Sequence, residues 1–181
     1  MLICVYDLAY TGLRFGEASA LRVRDLDLGR RRVLVVRAYS DVAGRLVEDS
    51  PKAHQARSVP LVPLLVPLLE RLVVDRGRDD LVFTTDRGAP LRLPNCRRQF
   101  NKTKAIAGLD HRLTTHGLRH TAASLLIQAG TSPKALQIIL GHSSITMTLD
   151  LYGHLYPDEM DRWATPARRG CCGQPVARRR R

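Results

Sequence analysis

Apolar residues recur at helical spacing along most of the chain, and glycine or proline interrupts each apolar segment. This pattern predicts a series of helices connected by short turns. Their ranges are 2–10, 15–21, 63–74, 94–107, 115–129, 133–141, 144–152 and 157–163. Ser132 and Pro133 form a typical helix start, and Gly130 and Gly141 form typical helix ends, so the cap residues agree with these ranges.

A second pattern, the alternation of apolar and polar residues, occupies residues 24–37 and is interrupted at Gly29. It predicts a strand, a turn and a second strand. A third strand is expected over residues 57–61 at a sheet edge, because Pro60 has no N–H to donate to a neighbouring strand. The polar residues 40–56 are interpreted as a long, mobile hairpin. We therefore expect an α+β fold, mainly α-helical, with a small antiparallel β-sheet near the N-terminal half.

The composition adds a large positive charge to this picture. The 181 residues are 44% hydrophobic and 25% charged, as in an ordinary globular domain, and carry a formal net charge of +12. Residues 162–181 contain seven arginines and no acid, and residues 87–119 contain eight basic residues against Asp110 alone. A single surface arginine often serves only solubility, but a local excess of this size is typical of proteins that bind a polyanion. The cluster favours a nucleic acid as the partner.

The four cysteines, at positions 4, 96, 171 and 172, lack the C-x-x-C spacing of zinc sites and indicate no disulfide framework. The apolar N-terminal segment is short and has no basic lead, so it does not resemble a signal peptide. No apolar run is long enough to span a membrane. Together with the charge, these features predict a cytoplasmic, nucleoid-associated protein in a reducing compartment.

Three chemically active side chains, His116, Arg119 and His120, are spaced i, i+3 and i+4 and share one face at the start of a predicted helix. A guanidinium, imidazoles and free amides at the positive end of a helix suit a phosphate group. Two other interpretations compete. His120 is expected to be a packed core histidine that bonds a carbonyl. His116 and His120 could also bind a metal, although Gly117 replaces the glutamate of an H-E-x-x-H site.

Two further candidates follow downstream. His142 comes directly after Gly141, in a tight turn that can present an imidazole, and Tyr152 ends the next predicted helix. Taken singly, such a histidine is more often a cap or a surface residue, and such a tyrosine belongs to a core or an interface. Their significance therefore depends on the whole set of residues.

The motifs HGLRHTAASLLIQAG and LGHSSITMTLDLYGHL resemble, in order and spacing, the C-terminal motifs of the tyrosine recombinase (phage integrase) family. That family also has an upstream T-G-x-R-x-x-E motif, which Arg14 and Glu17 match in AYTGLRFGEASAL. It places a lysine on a β-hairpin before an R-x-V-P-L strand, and Lys52 in SPKAHQARSVPL has that position. The resemblance covers roughly residues 2–160 and implies the tyrosine recombinase catalytic-domain fold.

The resemblance implies a reaction that cuts and rejoins double-stranded DNA. Tyr152 would attack a phosphodiester and form a 3′-phosphotyrosine, and a 5′-hydroxyl would later reverse the step. The bond energy is conserved, so the resemblance implies no cofactor, no metal and no small-molecule substrate.

The family's motif positions also imply a role for each remaining candidate. Arg14 and Arg119 would hold the phosphate, and His142 would donate a further hydrogen bond to it. His116 would take the proton of the phenol, or else bind the phosphate. Lys52 would protonate the leaving 5′-oxygen, a task that an arginine cannot perform because its pKa is too high.

The resemblance further implies a domain organisation. Residues 1–163 would form the catalytic domain, without the N-terminal core-binding domain that family members usually carry. The arginine-rich composition of residues 164–181, which lacks any periodicity, separately predicts a basic, disordered tail. Full-length family members act as homo-oligomers, tetramers on DNA. Two alternatives remain open: a catalytically silent DNA-binding remnant, and a type IB topoisomerase-like enzyme that relaxes DNA by the same chemistry.

Overall fold

The computed structural model describes residues 2–49 and 56–156. The helices of the described part are α1 (Leu2–Thr11), α2 (Phe15–Ser19), α3 (Leu65–Val73), α4 (Leu93–Ile106), α5 (Gly117–Gln128), α6 (Pro133–Leu140) and α7 (Ile145–Tyr152). Each of them corresponds to a helix predicted from the periodicity of apolar residues. The predicted helix over residues 157–163 and the basic tail lie outside the described residues.

Short β-strands form two antiparallel sheets in the described part of the chain. The strands are β1 (Leu26–Asp27), β2 (Arg32–Val35), β3 (Ala38–Val42), β4 (Arg45–Asp49) and β5 (Arg57–Pro60). The first sheet has the order β1–β2–β5, so β5 lies at an edge, as Pro60 predicts. The hairpin expected in the polar segment is formed by β3 and β4, which pair antiparallel as a separate two-stranded sheet with residues 38–42 opposite residues 45–49.

The apolar core forms where α1 packs along α5 and where α3 and strands β2 and β5 close against them. Leu8, Leu65, Leu69 and Val59 are fully buried there, and burial of each such side chain contributes about 1.5–3 kcal/mol. Helices α5, α6 and α7 enclose a second core, made of Ala123, Ile127, Leu136, Leu140 and Tyr152. The mainly helical α+β architecture expected from the sequence is confirmed.

Caps fix the turn between α6 and α7. Ser132 and Ser144 each accept a hydrogen bond from the amide three residues further on, at 3.3 and 3.2 Å, and so begin α6 and α7. Gly141 ends α6 in the left-handed conformation, with a φ of 66°. A Cβ on this glycine would also lie 2.9 Å from the Arg57 guanidinium. The caps thereby fix the position of His142, the next residue.

The loop before α5 is held by Lys104. Its buried Nζ donates hydrogen bonds to the carbonyl oxygens of His111 and Leu113, at 2.7 and 2.8 Å. Helix α5 begins at Gly117, two residues later than predicted, and the Gly117 amide donates to Thr114 Oγ1 at 2.9 Å. Lys104 belongs to the basic cluster expected to attract a polyanion, but its buried ammonium group binds this loop and is not available for a direct contact with a partner.

Polar contacts attach the β3–β4 sheet to the body of the domain. Arg22 forms an ion pair with Glu48 at 3.1 Å, and Arg92 Nη1 donates to the carbonyl oxygen of Gly44 at 2.8 Å. The anchored strand β4 ends three residues before Lys52. Lys52 itself lies outside the described residues.

Asp7 on α1 is fully buried, and neither of its carboxyl oxygens has a hydrogen-bond partner among the described residues. Burial raises the pKa of this carboxyl from 3.8 to about 7. Between pH 3.8 and about pH 7 the Asp7 carboxyl keeps its proton in the folded chain and loses it in the unfolded chain. The free energy of unfolding therefore falls as the pH rises through this range.

We therefore expect Asp7→Asn to stabilise the chain in a pH-dependent way, because the amide stays neutral. The gain should be small at pH 4.5 and grow to the order of 4 kcal/mol at pH 8, from about 1.4 kcal/mol per pKa unit. Urea unfolding of both chains across this range measures it, with Asp75→Asn at an exposed position as the control. A gain that does not change with pH would contradict the burial of an ionisable group here.

Candidate active site

Three arginines meet at the C-terminal end of α6 and donate hydrogen bonds to three consecutive carbonyl oxygens. Arg57 Nε donates to Ile139 O at 2.9 Å. Arg119 Nη2 donates to Leu140 O at 2.5 Å, and Arg14 Nη2 donates to Gly141 O at 3.1 Å. The last carbonyls of a helix lack partners within the helix and form its negative end, so positive donors stabilise them. We call Arg14, Arg57 and Arg119 the α6 arginine cluster.

Glu17 on α2 is the carboxylate that holds this cluster together. Its two oxygens accept hydrogen bonds from Arg57 at 2.9 and 2.7 Å, and Arg14 Nη1 lies 3.1 Å from one of them. Burial alone would raise the pKa of Glu17, but the hydrogen bonds and the charge of Arg57, followed by those of Arg14, bring it below its ordinary value. Arg57 and Arg14 bond this carboxylate, whereas Arg119 bonds backbone carbonyls, so the cluster has an excess of positive charge suited to an anion.

Of the two arginines expected to hold a phosphate, Arg119 is more buried than Arg14. Besides Leu140 O, it donates to Gly12 O through Nη1 at 2.6 Å. Burial and the neighbouring charge of Arg14 lower its pKa to about 10, so Arg119 keeps its charge at neutral pH. A guanidinium has five N–H donors, and the two carbonyls leave others available to an oxyanion.

His142 is buried beside the cluster, and its Nδ1 lies 2.9 Å from the hydroxyl of buried Thr148 on α7. Burial, and then the charges of Arg119 and Arg14, lower the pKa of His142 to about 4, so the ring is neutral at pH 7. When the Thr148 hydroxyl donates to Nδ1, the single ring proton is on Nε2. In this tautomer Nε2 can donate to a phosphate oxygen.

Tyr152 lies at the end of α7 and is 3% exposed. Its ring stacks parallel to that of His142, with centroids 6.4 Å apart. Burial raises the pKa of the phenol, and the charge of Arg119 opposes part of this effect. The hydroxyl forms a hydrogen bond with Nδ1 of His120 at 3.0 Å. The expected nucleophile thus lies among the expected phosphate ligands.

The interpretation of His120 as a packed core histidine bonding a carbonyl is wrong. Its side chain is exposed, and it contacts the Tyr152 hydroxyl across the space between α5 and α7, each of which packs against α6. His116 lies edge-on to His120, with ring centroids 5.2 Å apart. In the described part of the chain no hydrogen bond joins His116 to Tyr152. The only sequence signal for His120 was its place on the helix face of His116.

The structure therefore brings together Arg14, His116, Arg119, His142 and Tyr152 at one place. It adds three residues that the sequence analysis did not assign to the site: Arg57, His120 and Thr148. No group of three or more His, Cys, Asp or Glu side chains arranged for a metal ion occurs within residues 2–49 and 56–156. No helix of those same residues has the length and apolar character needed to cross a membrane.

The model of the phage integrase family matches residues 2–159. The chain belongs to the phage integrase family. It is 28% identical over 173 residues to the tyrosine recombinase XerC-like protein of Caldanaerobacter subterraneus, a match that covers 82% of this chain and 44% of that protein. It is 32% identical over 156 residues to tyrosine recombinase XerC of Corynebacterium efficiens, covering 83% and 45%. The chain spans less than half the length of these curated relatives.

Solved structures of family members have the same fold. The Tn1549 transposon integrase in complex with a circular intermediate DNA superposes with a TM-score of 0.76 at 28% identity, over 88% of this chain and 57% of that one. XerA recombinase gives a TM-score of 0.65 at 26% identity, over 91% and 57%. The tyrosine recombinase catalytic-domain fold expected from the motifs is therefore confirmed.

Proposed function

We propose that residues 1–163 act as the catalytic domain of a site-specific DNA recombinase, which cuts and rejoins DNA through a 3′-phosphotyrosine intermediate. The observation that carries this proposal is the α6 arginine cluster, which holds excess positive charge next to a buried tyrosine. The names of the relatives and the DNA in the Tn1549 integrase complex support the same activity.

In the proposed reaction, the Tyr152 oxygen attacks the phosphorus atom of a DNA phosphodiester. The bond to the 5′-oxygen breaks, and the DNA remains joined to the protein through its 3′-phosphate. Arg14 and Arg119 stabilise the charge on the non-bridging oxygens, and Nε2 of His142 donates a further hydrogen bond. Because carbonyls and Glu17 already orient these guanidinium groups, little reorganisation is needed when the phosphate binds.

The remaining groups would move protons. Lys52 would give a proton to the leaving 5′-oxygen, and His116 would bind the phosphate or take the proton of the phenol. Attack of a 5′-hydroxyl on the phosphotyrosine then reverses the step, so the proposed reaction requires no cofactor.

The proposed partner is double-stranded DNA, and the exposed arginines of α4, Arg97 and Arg98, could contact its backbone. We further propose a homo-oligomer, a tetramer on DNA as the family resemblance implies, in a cytoplasmic, nucleoid-associated setting. Binding by this chain should weaken steeply as salt rises, because phosphate contacts release counterions.

Covalent capture tests the proposal. The 181-residue chain is incubated with 5′-labelled duplexes that carry a nick beside a block of randomised sequence. Cleavage near the nick releases a short 5′-hydroxyl strand, so the protein stays attached to the label. We expect a denaturant-resistant adduct that forms equally well in EDTA and maps to Tyr152 by mass spectrometry. No adduct, or an adduct on another residue, would overturn the proposal.

A second assay separates the proposed function from a topoisomerase. A recombinase exchanges strands between two labelled duplexes, whereas a topoisomerase only relaxes a supercoiled plasmid. Relaxation without any exchange under conditions that give the Tyr152 adduct would favour the topoisomerase.

The contact between Thr148 and His142 predicts the effect of Thr148→Val, a change that keeps the shape of the side chain and removes its hydroxyl. The tautomer of His142 is then no longer fixed, and we expect the rate of adduct formation to fall about tenfold or more. Single-turnover capture measures this rate. The control is Thr146→Val at an exposed position of the same helix. Equal rates for both variants would show that Thr148 only fills space.

A further inference from the structure

The hydrogen bond between the Tyr152 hydroxyl and Nδ1 of His120 links α7 to α5 inside the site. We propose that His120, rather than His116, accepts the proton of the Tyr152 phenol during DNA cleavage. This inference rests on the proposed function and assigns a further catalytic residue to it.

The phenol needs a proton acceptor because its surroundings oppose ionisation. Tyr152 is 3% exposed, and a buried phenolate loses the solvation that water would provide. The nearby guanidinium groups of Arg14 and Arg119 are donors only and cannot take up a proton. They can stabilise the phenolate once it forms, but another group must remove its proton.

Two other histidines belong to the site, His142 beside the Tyr152 ring and His116 beside the His120 ring, and their contacts favour other roles. His142 Nδ1 is already engaged with the Thr148 hydroxyl at 2.9 Å, and its ring faces the arginine cluster's charges. His116 contacts the edge of the His120 ring, not the hydroxyl. Burial and the charges of His120, Arg119 and Arg14 lower the pKa of His116, which makes it a weaker proton acceptor than an ordinary imidazole.

His120 has the geometry that proton transfer requires. The distance of 3.0 Å from Nδ1 to the phenolic oxygen is within hydrogen-bond reach, which a general base must have. The side chain is exposed, so its second nitrogen can exchange a proton with water. An imidazole is the side chain best suited to accept and return a proton near neutral pH.

The proposed step is balanced over one cleavage and rejoining cycle. The O–H bond of Tyr152 breaks and its proton goes to Nδ1 of His120, while the phenolic oxygen forms a bond with phosphorus. The bond from phosphorus to the 5′-oxygen breaks, and that oxygen takes a proton from the acid proposed above, Lys52. When a 5′-hydroxyl attacks the phosphotyrosine, the proton of that hydroxyl returns to Lys52, and the proton on His120 returns to the departing tyrosine.

Substitutions of His120 in the covalent-capture assay test the assignment. His120→Ala should slow adduct formation by about 10²-fold or more, which is the usual contribution of a general base. His120→Gln keeps a hydrogen-bond acceptor but cannot take the proton, so it should be as slow. His154→Ala, at an exposed position two residues after Tyr152, is the matched control and should retain the wild-type rate.

A fluorinated tyrosine at position 152 separates proton transfer from positioning. Fluorine makes the phenol more acidic, so fluorotyrosine should restore part of the rate of adduct formation that His120→Ala loses. Fluorotyrosine should not restore the rate lost in His116→Ala, because His116 is assigned to the phosphate. Urea unfolding of each variant checks that the fold is intact, as expected for an exposed side chain.

Three results would overturn the assignment: a His120→Ala rate within threefold of the wild type, full activity of His120→Gln, or recovery by fluorotyrosine only in His116→Ala. In each of these cases the wild-type chain still forms its adduct on Tyr152, so the proposed function stands. A wild-type chain that forms no adduct overturns the proposed function, and this inference with it.

Discussion

Tyr152→Phe is expected to bind DNA as the unmodified chain does and to form no covalent protein–DNA adduct. The substitution removes only the hydroxyl, and the ring remains packed against the core of α5, α6 and α7. The cost to folding should be about 1 kcal/mol, from the lost hydrogen bond to His120.

Filter binding and denaturing gels measure the two properties on the same labelled duplex. The matched control is Tyr156→Phe, because Tyr156 packs against the same core and its buried hydroxyl has no hydrogen-bond partner in the described part of the chain. That control should keep the full adduct yield. An adduct formed by Tyr152→Phe would assign the nucleophile to another residue.

Glu17→Leu should destabilise the chain by about 3–5 kcal/mol, the usual cost of removing one partner of a buried ion pair. Glu17 is 2% exposed and Arg57 is 8% exposed, so the substitution leaves a buried guanidinium without its carboxylate. The substitution should also disturb the proposed phosphate ligand Arg14, which is bonded to the same carboxylate. Adduct formation should therefore fall along with stability.

Urea unfolding measures the effect, and a double-mutant cycle with Arg57→Leu isolates the pair. The double variant should recover part of the lost stability, because no buried charge is then left alone. Asp79→Asn breaks the exposed ion pair with Arg24 and should change the stability by less than about 1 kcal/mol. Equal changes in the free energy of unfolding for Glu17→Leu and Asp79→Asn would show that the buried ion pair stabilises the chain no more than the exposed one.

The helices were predictable because local signals specify them. Ser132 and Ser144 cap their helices as the sequence indicates, and Gly141 ends α6 in the conformation that favours glycine. The β3–β4 sheet was less predictable, since its strands are largely exposed and polar and show no alternation of apolar residues. Its position depends on contacts such as Arg22 with Glu48, which join residues distant in sequence.

The site was predictable only in part. The family motifs indicate Arg14, Arg119, His142 and Tyr152, and the structure gathers them. The partners that hold them were not predictable, because each belongs to a distant segment. Arg57, for example, reaches a carbonyl 82 residues further along the chain. Long-range contacts of this kind leave no periodic signal in a sequence.

At the end of α6, the proposed phosphate ligands Arg14 and Arg119 also bind the last carbonyl oxygens of the helix. A guanidinium removed from Arg14 or Arg119 frees a carbonyl of the turn that leads to His142, so charge and geometry are lost together. Rate effects of the two substitutions should therefore not add, and neither value measures the electrostatic contribution of one arginine. A lysine at either position would keep the charge and lose the planar fork that reaches carbonyl and phosphate at once. Substitutions at this site are thus limited by the termination of α6 as well as by the proposed chemistry.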